Sequence, residues 1–471
     1  MFDTLILPTI STIIPSLFLW IVLSLSLGLC FVYSVFDTLY YLTQKQEWAS
    51  YALQTARHFK QNLKITGAFL LLFIIPVLFN WQPFWEKVPS PIIISLIAFE
   101  GFFVLVSCFL YIILFAKKRE ISAKRHLVYS WVLTFSLSLT LWIPLAIEAW
   151  RECPLGTTVS PTDFTLSLTY ISWFLFSPLA LAKFFHSMVF CWLAGASCLI
   201  AWCCMQALKD KSISKGIATG LSGATLSLFA IICLGDSHGY LVSQQQPLKM
   251  ASIQNLEKGG RNIPFTIAGP VKIPDMLSRL ATHRNNGFVP GIKDVLDGGY
   301  NLPEGGKALS VSQKQELASQ ACIVKEQGIS EKTFNYCSQF MGYRNIADKH
   351  ILLPNPTVLF WTFRIMVGLG IFLFLLLGAQ WYLLANKNTP RKKHILQSGL
   401  CLLPIVYICS LCGWIIALYG TSPWSVTDLL LSAEAVSPWK TYLYAIETAL
   451  VALFSLALLS WGIRLHKKIL S

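Results

Sequence analysis

His186 lies in the stretch Pro178-Leu-Ala-Leu-Ala-Lys-Phe-Phe-His-Ser-Met-Val-Phe190 and reads as the only histidine inside an apolar run. The other seven, His58, His126, His238, His283, His350, His394 and His466, read as loop or segment-end residues. A neutral imidazole in hydrocarbon must bond to something, because an unsatisfied polar group there costs several kcal/mol. Two partners suit it: a haem iron, or a Ser, Thr or backbone carbonyl on a neighbouring helix. Glu100, in Ile97-Ala-Phe-Glu-Gly101, is a carboxyl in mid-run. Such a group marks a proton or ion path, or sits protonated and hydrogen-bonded. In Phe363-Arg-Ile-Met-Val-Gly368, Arg364 is either a guanidinium fork for a carboxylate or an arginine reaching for the interface. Met366 is either an axial thioether for iron or core filling. Cys409-x-x-Cys412 has no second pair to complete a zinc site, so packing is expected there.

The elements that carry these residues follow from composition. The chain has 471 residues, 55% of them apolar and 13% charged, which excludes an ordinary soluble domain. Nine apolar runs approach the roughly 20 residues needed to cross a bilayer. They fall at 13–36, 63–82, 91–116, 127–149, 180–206, 216–235, 357–385, 395–419 and 441–463. The expected architecture is an all-α polytopic membrane protein of nine transmembrane helices. The first run lacks a basic n-region and a small-residue cleavage site, so it is expected to stay as a span. Most of the thirteen cysteines lie within these runs, where small polarizable residues pack between helices.

The net charge of +14 is chiefly a topology signal. Basic residues crowd the loops after spans one, three, five and seven: Lys45, Arg57, Lys60 and Lys64; Lys117, Lys118, Arg119, Lys124 and Arg125; Lys209, Lys211 and Lys215; Lys387, Arg391, Lys392 and Lys393. Arg464, Lys467 and Lys468 follow span nine, whereas the alternate short loops hold little beyond Lys87, Arg151 and Lys440. The positive-inside rule then puts the N-terminus outside and the C-terminus in the cytoplasm. It also puts a large polar insertion, 236–356, on the outside between spans six and seven. This divides the chain into helices one to six (1–235), the extracytoplasmic region (236–356) and helices seven to nine (357–471). A loop of that length is functional or disordered. Within it Ser310 and Gln313 have capping-box spacing at the head of a helical pattern, Ser310–Glu326. Cys322 and Cys337 share it and are a candidate disulfide in an oxidising compartment. Lys249, in Gln244-Gln-Gln-Pro-Leu-Lys-Met-Ala-Ser-Ile-Gln254, belongs either to a quinone head-group site or to an amphipathic helix resting on the interface.

Several stretches in this order resemble subunit I of the cytochrome bd quinol oxidases: Lys183-Phe-Phe-His186, Gly235-Asp-Ser-His-Gly-Tyr240, Lys249-Met-Ala-Ser-Ile253, Phe363-Arg-Ile-Met366, and Gly413-Trp414 with Tyr419-Gly420 and Pro423-Trp424. The nine spans and the large loop after the sixth agree. The resemblance implies that His186 and Met366 are the metal ligands of one low-spin haem b. It places Arg364 and Lys183 beside that haem, Lys249 in a quinol-binding loop, and Glu100 on a proton path. It further implies a respiratory-chain oxidoreductase of the bacterial cytoplasmic (inner) membrane, with membrane quinol as substrate and a subunit II or a paralogous subunit I as partner. No nucleic-acid partner is expected.

Departures from the family pattern concern oxygen reduction. The span-one histidine of the family, placed about nine residues before the glycine of Leu25-Ser-Leu-Gly28, is here Leu19. The glutamate four residues after Trp414 is here Leu418, and a leucine offers no lone pair to iron. Haem d and a high-spin haem b are therefore doubtful. A second carboxylate beyond Glu100 is replaced by Cys108, the Gly-Arg-Gln-Pro-Trp motif reads Gly420-Thr-Ser-Pro-Trp424, and Gln254 stands where the quinol loop carries a glutamate. The expected activity is quinol oxidation with electrons passed to one haem b. The alternatives are a non-catalytic structural or regulatory paralogue that assembles with an intact oxidase subunit, and a full oxidase with substituted ligands.

Overall fold

The computed structural model describes residues 3–116, 121–209, 214–302, 305–327, 330–386 and 392–470. The basic residues Lys117, Lys118, Arg119, Lys211, Lys387 and Arg391 lie outside the described residues, as do the side chains of Lys467 and Lys468. Among the described residues nine helices are long and apolar enough to cross a membrane, as the hydropathy pattern predicts. They are built from α1 (Asp3–Thr43), α2 (Gln46–Asn80), α3 (Ser90–Tyr111), α4 (Ala123–Leu139) with α5 (Trp142–Glu152), α6 (Pro178–Ala207), α7 (Ser214–Gln245), α9 (Pro356–Ala385), α10 (Leu402–Tyr419) and α11 (Thr441–Leu470). The short helix α8 (Pro247–Gln254) follows α7 directly. Thr140 and Leu141 break the fourth span into α4 and α5, and Pro144 falls in the first turn of α5, where its missing N–H costs no intrahelical bond.

Helix α6 is the hub, packed on α1, α5, α7 and α10. It can be so enclosed because its inward positions are small: Ala194, Gly195, Ala196, Ser197, Cys203 and Cys204 are buried. In a bilayer, close backbone approach replaces the hydrophobic drive that assembles soluble helices. The tightest approach is Gly28 of α1 against Gly195 of α6. A Cβ at Gly28 would overlap the Cys191 carbonyl oxygen, and one at Gly195 would overlap the backbone of Gly28. Gly195→Val is therefore expected to force α1 from α6 and to cost about 1–3 kcal/mol or more. Thermal melting of the detergent-solubilised protein checks this, and an unchanged midpoint would contradict it.

The helix starts around the site are capped by their own sequences. Ser177 accepts a hydrogen bond from Ala180 N at 3.2 Å with Pro178 opening α6. Asn355 accepts from Thr357 N at 3.0 Å with Pro356 opening α9. Helix α7 runs to Gln245, ten residues beyond the apolar run that ends at 235, because no residue stops it before Pro247. The Gly235–Tyr240 motif is thus helical. The described residues of 246–355 fold over the end of the bundle where α5 and α10 finish and α6 and α9 begin. There Leu296, Val311, Tyr343, Ile346 and Leu352 form one apolar cluster with Trp424 and Leu431 from the segment after α10. Tyr343 Oη donates to Asp428 Oδ1 at 2.6 Å. Burial, with Asp428 alongside, pushes that phenol well above the ordinary tyrosine range. Both arms of the capping box form: Gln313 N donates to Ser310 Oγ at 3.1 Å, and Ser310 N to Gln313 Oε1 at 2.8 Å. Cys322 and Cys337 are free thiols.

Candidate functional site

A buried charged cluster sits where α5, α6, α7, α8 and α10 converge. Glu152, the last residue of α5, accepts from Lys183 Nζ of α6 at 2.9 Å and from Lys249 Nζ of α8 at 3.1 Å, both on Oε1. Lys249 Nζ also donates to the Ala417 carbonyl of α10 at 3.3 Å. All three side chains are buried. Burial pulls the Lys249 ammonium below the ordinary lysine range, and the Glu152 carboxylate offsets only part of that shift. Gln246 ties the segment down by donating Nε2 to the Glu152 carbonyl at 2.9 Å. The other carboxylate oxygen, Glu152 Oε2, is buried without a hydrogen-bond partner among the described residues, as is Gln246 Oε1. Each ammonium has three donors. The cluster therefore holds one more cation than anion, spare donors on both lysines, and one unused carboxylate oxygen.

One turn beyond Lys183 on α6 stands His186. Its Nδ1 is buried with no hydrogen-bond partner among the described residues, so that nitrogen has no Ser, Thr or carbonyl to satisfy it. The imidazole lies flush on α7, where a Cβ at Gly235 would be only 3.6 Å from His186 Cε1. His238, one turn on, meets it edge to face at 5.9 Å between ring centroids. This corrects the expectation that His186 alone lies inside a span: His58, His126 and His238 lie in α2, α4 and α7. His126 is anchored elsewhere, with Nδ1 3.0 Å from Asp37 Oδ2 and Nε2 3.4 Å from Tyr33 Oη. Sequence missed His238 because the apolar run ends before the helix does.

Arg364 and Met366 are on α9, which packs on α7, α8 and α10. Met366 faces α10, where a Cβ at Gly413 would lie 3.7 Å from its sulfur. Arg364 is buried rather than reaching for an interface. It donates to the Ile253 carbonyl at 2.7 Å, to Gln254 Oε1 at 2.7 Å, and through Nε and Nη2 to the Thr266 carbonyl at 3.1 and 2.8 Å. Its guanidinium lies 3.7 Å from the centroid of Phe360. Four of the five N–H groups are thus committed to the chain, which fastens α8 to α9. Helix α8 is not an amphipathic helix resting on the membrane, since Lys249, Ala251, Ser252, Ile253 and Gln254 are all buried. Arg364→Lys is expected to lower the thermal midpoint and speed amide exchange over residues 253–266. A point charge cannot make four fixed bonds, and each buried carbonyl left unpaired costs about 1–3 kcal/mol. Exchange unchanged over that segment would contradict this.

Glu100 stands apart on α3, buried, with Oε1 unpartnered among the described residues. The Cys108 position on the same helix is exposed. Leu19 and Leu418 sit half-buried on α1 and α10. Cys409 and Cys412 are free thiols. No group of three or more His, Cys, Asp or Glu that could hold a metal ion occurs among the described residues.

The described residues thus form a helical bundle with nine helices of membrane-crossing length, in which a histidine with one unpartnered ring nitrogen stands next to a buried cluster of two lysines and a carboxylate. The chain belongs to the family described as cytochrome bd terminal oxidase subunit I, whose model matches residues 10–471. It is 25% identical over 497 residues to cytochrome bd-II ubiquinol oxidase subunit 1 of Escherichia coli (strain K12), covering 98% of this chain and 95% of that one. It is 23% identical to cytochrome bd ubiquinol oxidase subunit 1 of Bacillus subtilis (strain 168), covering 92% and 86%. Its fold matches the structure of bd oxidase from Geobacillus thermodenitrificans with a TM-score of 0.75 and 16% identity over 99% of both chains, a likeness that shows the fold alone. The family is one of haem-containing cytochromes, and the two sequence relatives are subunits of ubiquinol oxidases.

Glu152 was missed by reading the sequence. It sits at a span end between Arg151 and Cys153, where a charged residue ordinarily faces water.

Proposed function

We propose that this chain is subunit I of a cytochrome bd-like quinol oxidase complex in the bacterial cytoplasmic membrane. Quinol binds on the outer side against Lys249, in the region 236–356, and its electrons pass to one low-spin haem b held by His186 and Met366. The observation that carries the reading is the buried His186 Nδ1, one turn from Lys183 and without a hydrogen-bond partner among the described residues, for a buried polar atom calls for a partner. Gly235 and Gly413 stand directly against the two proposed ligands, so that neither His186 nor Met366 meets a side chain at those positions. Lys183 is the cation for a haem propionate, with Arg364 holding α8 and α9 beside it. When bound, the haem supplies one-electron redox chemistry and the protein sets its axial ligands and excludes water.

The oxygen-reducing site is degenerate in this reading, since Leu19 and Leu418 replace its family ligands. Electrons then leave to a subunit II or a paralogous subunit I. Glu100 is what remains of a proton path. The basic residues in the first part of α2, Arg57, Lys60 and Lys64, and those at the starts of α4 and α7, Lys124, Arg125 and Lys215, face the cytoplasm, which puts the N-terminus outside and the C-terminus inside. The test is anaerobic addition of a short-tailed quinol to the purified, oxidised protein. The expected result is the reduced spectrum of a low-spin haem b without a haem d band, and a haem that stays oxidised would sink the proposal.

A further inference from the structure

We propose that Glu152 is the carboxylate of the quinol site in this chain and makes the site prefer the hydroxyl form of the ring, the quinol, over its carbonyl form, the quinone. This rests on the assignment of Lys249 to quinol binding. The position where the family's loop carries a glutamate is Gln254, and its amide oxygen is taken by Arg364 Nη2 at 2.7 Å. The carboxylate that does reach Lys249 comes instead from α5, at 3.1 Å. Both lysine contacts use Oε1, so Oε2 is a buried acceptor with no donor among the described residues. An unpaired acceptor at that depth is costly, more so when it is charged.

The donors and acceptors left over in the cluster define the ligand. Glu152 Oε2 can only accept, and the spare hydrogens on Lys249 and Lys183 can only donate. A ring hydroxyl satisfies both sides, giving its hydrogen to Oε2 and taking one from an ammonium. A ring carbonyl satisfies the lysines alone and leaves Oε2 as it was. A site whose buried polar group stays unpaired with the wrong ligand rejects that ligand strongly. Hydrogen bonds to charged groups set the expected preference at about tenfold to a hundredfold.

The test is equilibrium binding to the full-length, detergent-solubilised protein of a pair of compounds that do not reduce the haem. One is a short-tailed alkylphenol that keeps one hydroxyl of the quinol ring, the other its O-methyl ether. The wild-type chain is expected to bind the phenol at least tenfold more tightly. Glu152→Gln, whose amide can turn a donor to an ether or carbonyl oxygen, is expected to erase that ratio with the haem spectrum unchanged. Glu152→Asp, which keeps both oxygens and the charge, is expected to retain the preference and guards against a Gln variant that fails to fold. Equal binding of both compounds by the wild type, or a preference undiminished in Glu152→Gln, would overturn the inference. Failure of the underlying reading looks different: a quinol then leaves the wild-type haem oxidised, whichever compound binds.

Discussion

Glu152→Leu is expected to destabilise the protein by about 3–5 kcal/mol, because it strips the counter-charge from two buried ammonium groups at once. Lys183 and Lys249 both end on Glu152 Oε1, at 2.9 and 3.1 Å, and no other carboxylate lies within ion-pair distance of either among the described residues. The quantity to measure is the thermal midpoint in detergent, with far-UV circular dichroism as the folding control. The triple variant Glu152→Leu, Lys183→Met, Lys249→Met is expected to regain most of the lost stability, since replacing a whole buried ion cluster by apolar side chains is commonly neutral or favourable. That variant should be stable and unable to bind quinol, which separates the cost of the cluster from its use. A single variant as stable as the wild type would show that water or a bound group already neutralises the lysines.

His186→Ala is expected to abolish the quinol-reducible low-spin haem spectrum while the nine-helix fold persists, because an alanine on α6 leaves a small void but no axial nitrogen. Met366→Leu keeps the packing against Gly413 and removes only the thioether. It is expected to retain haem and convert it from low spin to high spin. His238→Ala, beside His186 yet not a ligand in this account, is expected to keep the low-spin spectrum. If His186→Ala leaves every spectrum unchanged and the protein still assembles with its partner, the non-catalytic paralogue becomes the better reading.

Much of the fold is legible from hydropathy because crossing a bilayer imposes one requirement, about 20 apolar residues with internally satisfied backbone, that needs no knowledge of tertiary contacts. The nine spans and the capping box at Ser310 and Gln313 follow from such local rules. The site is less legible, since its parts come from six helices. Lys183 and Lys249 are each visible as cations near a span, but that both meet one carboxylate depends on how α5 ends against α6 and α8. Glu152 carries no local mark of burial. The rest of the helix holding His238 was hidden because a helix persists through Gly, Asp and Ser until a residue such as Pro247 stops it. The Gly28–Gly195 contact is likewise a meeting of two distant residues that neither run announces.

The most direct test of the account is the haem content of the purified full-length chain by acid extraction and pyridine haemochrome. The expected content is one haem b per chain and no haem d. A chain carrying no haem, two or more haems, or any haem d would contradict it.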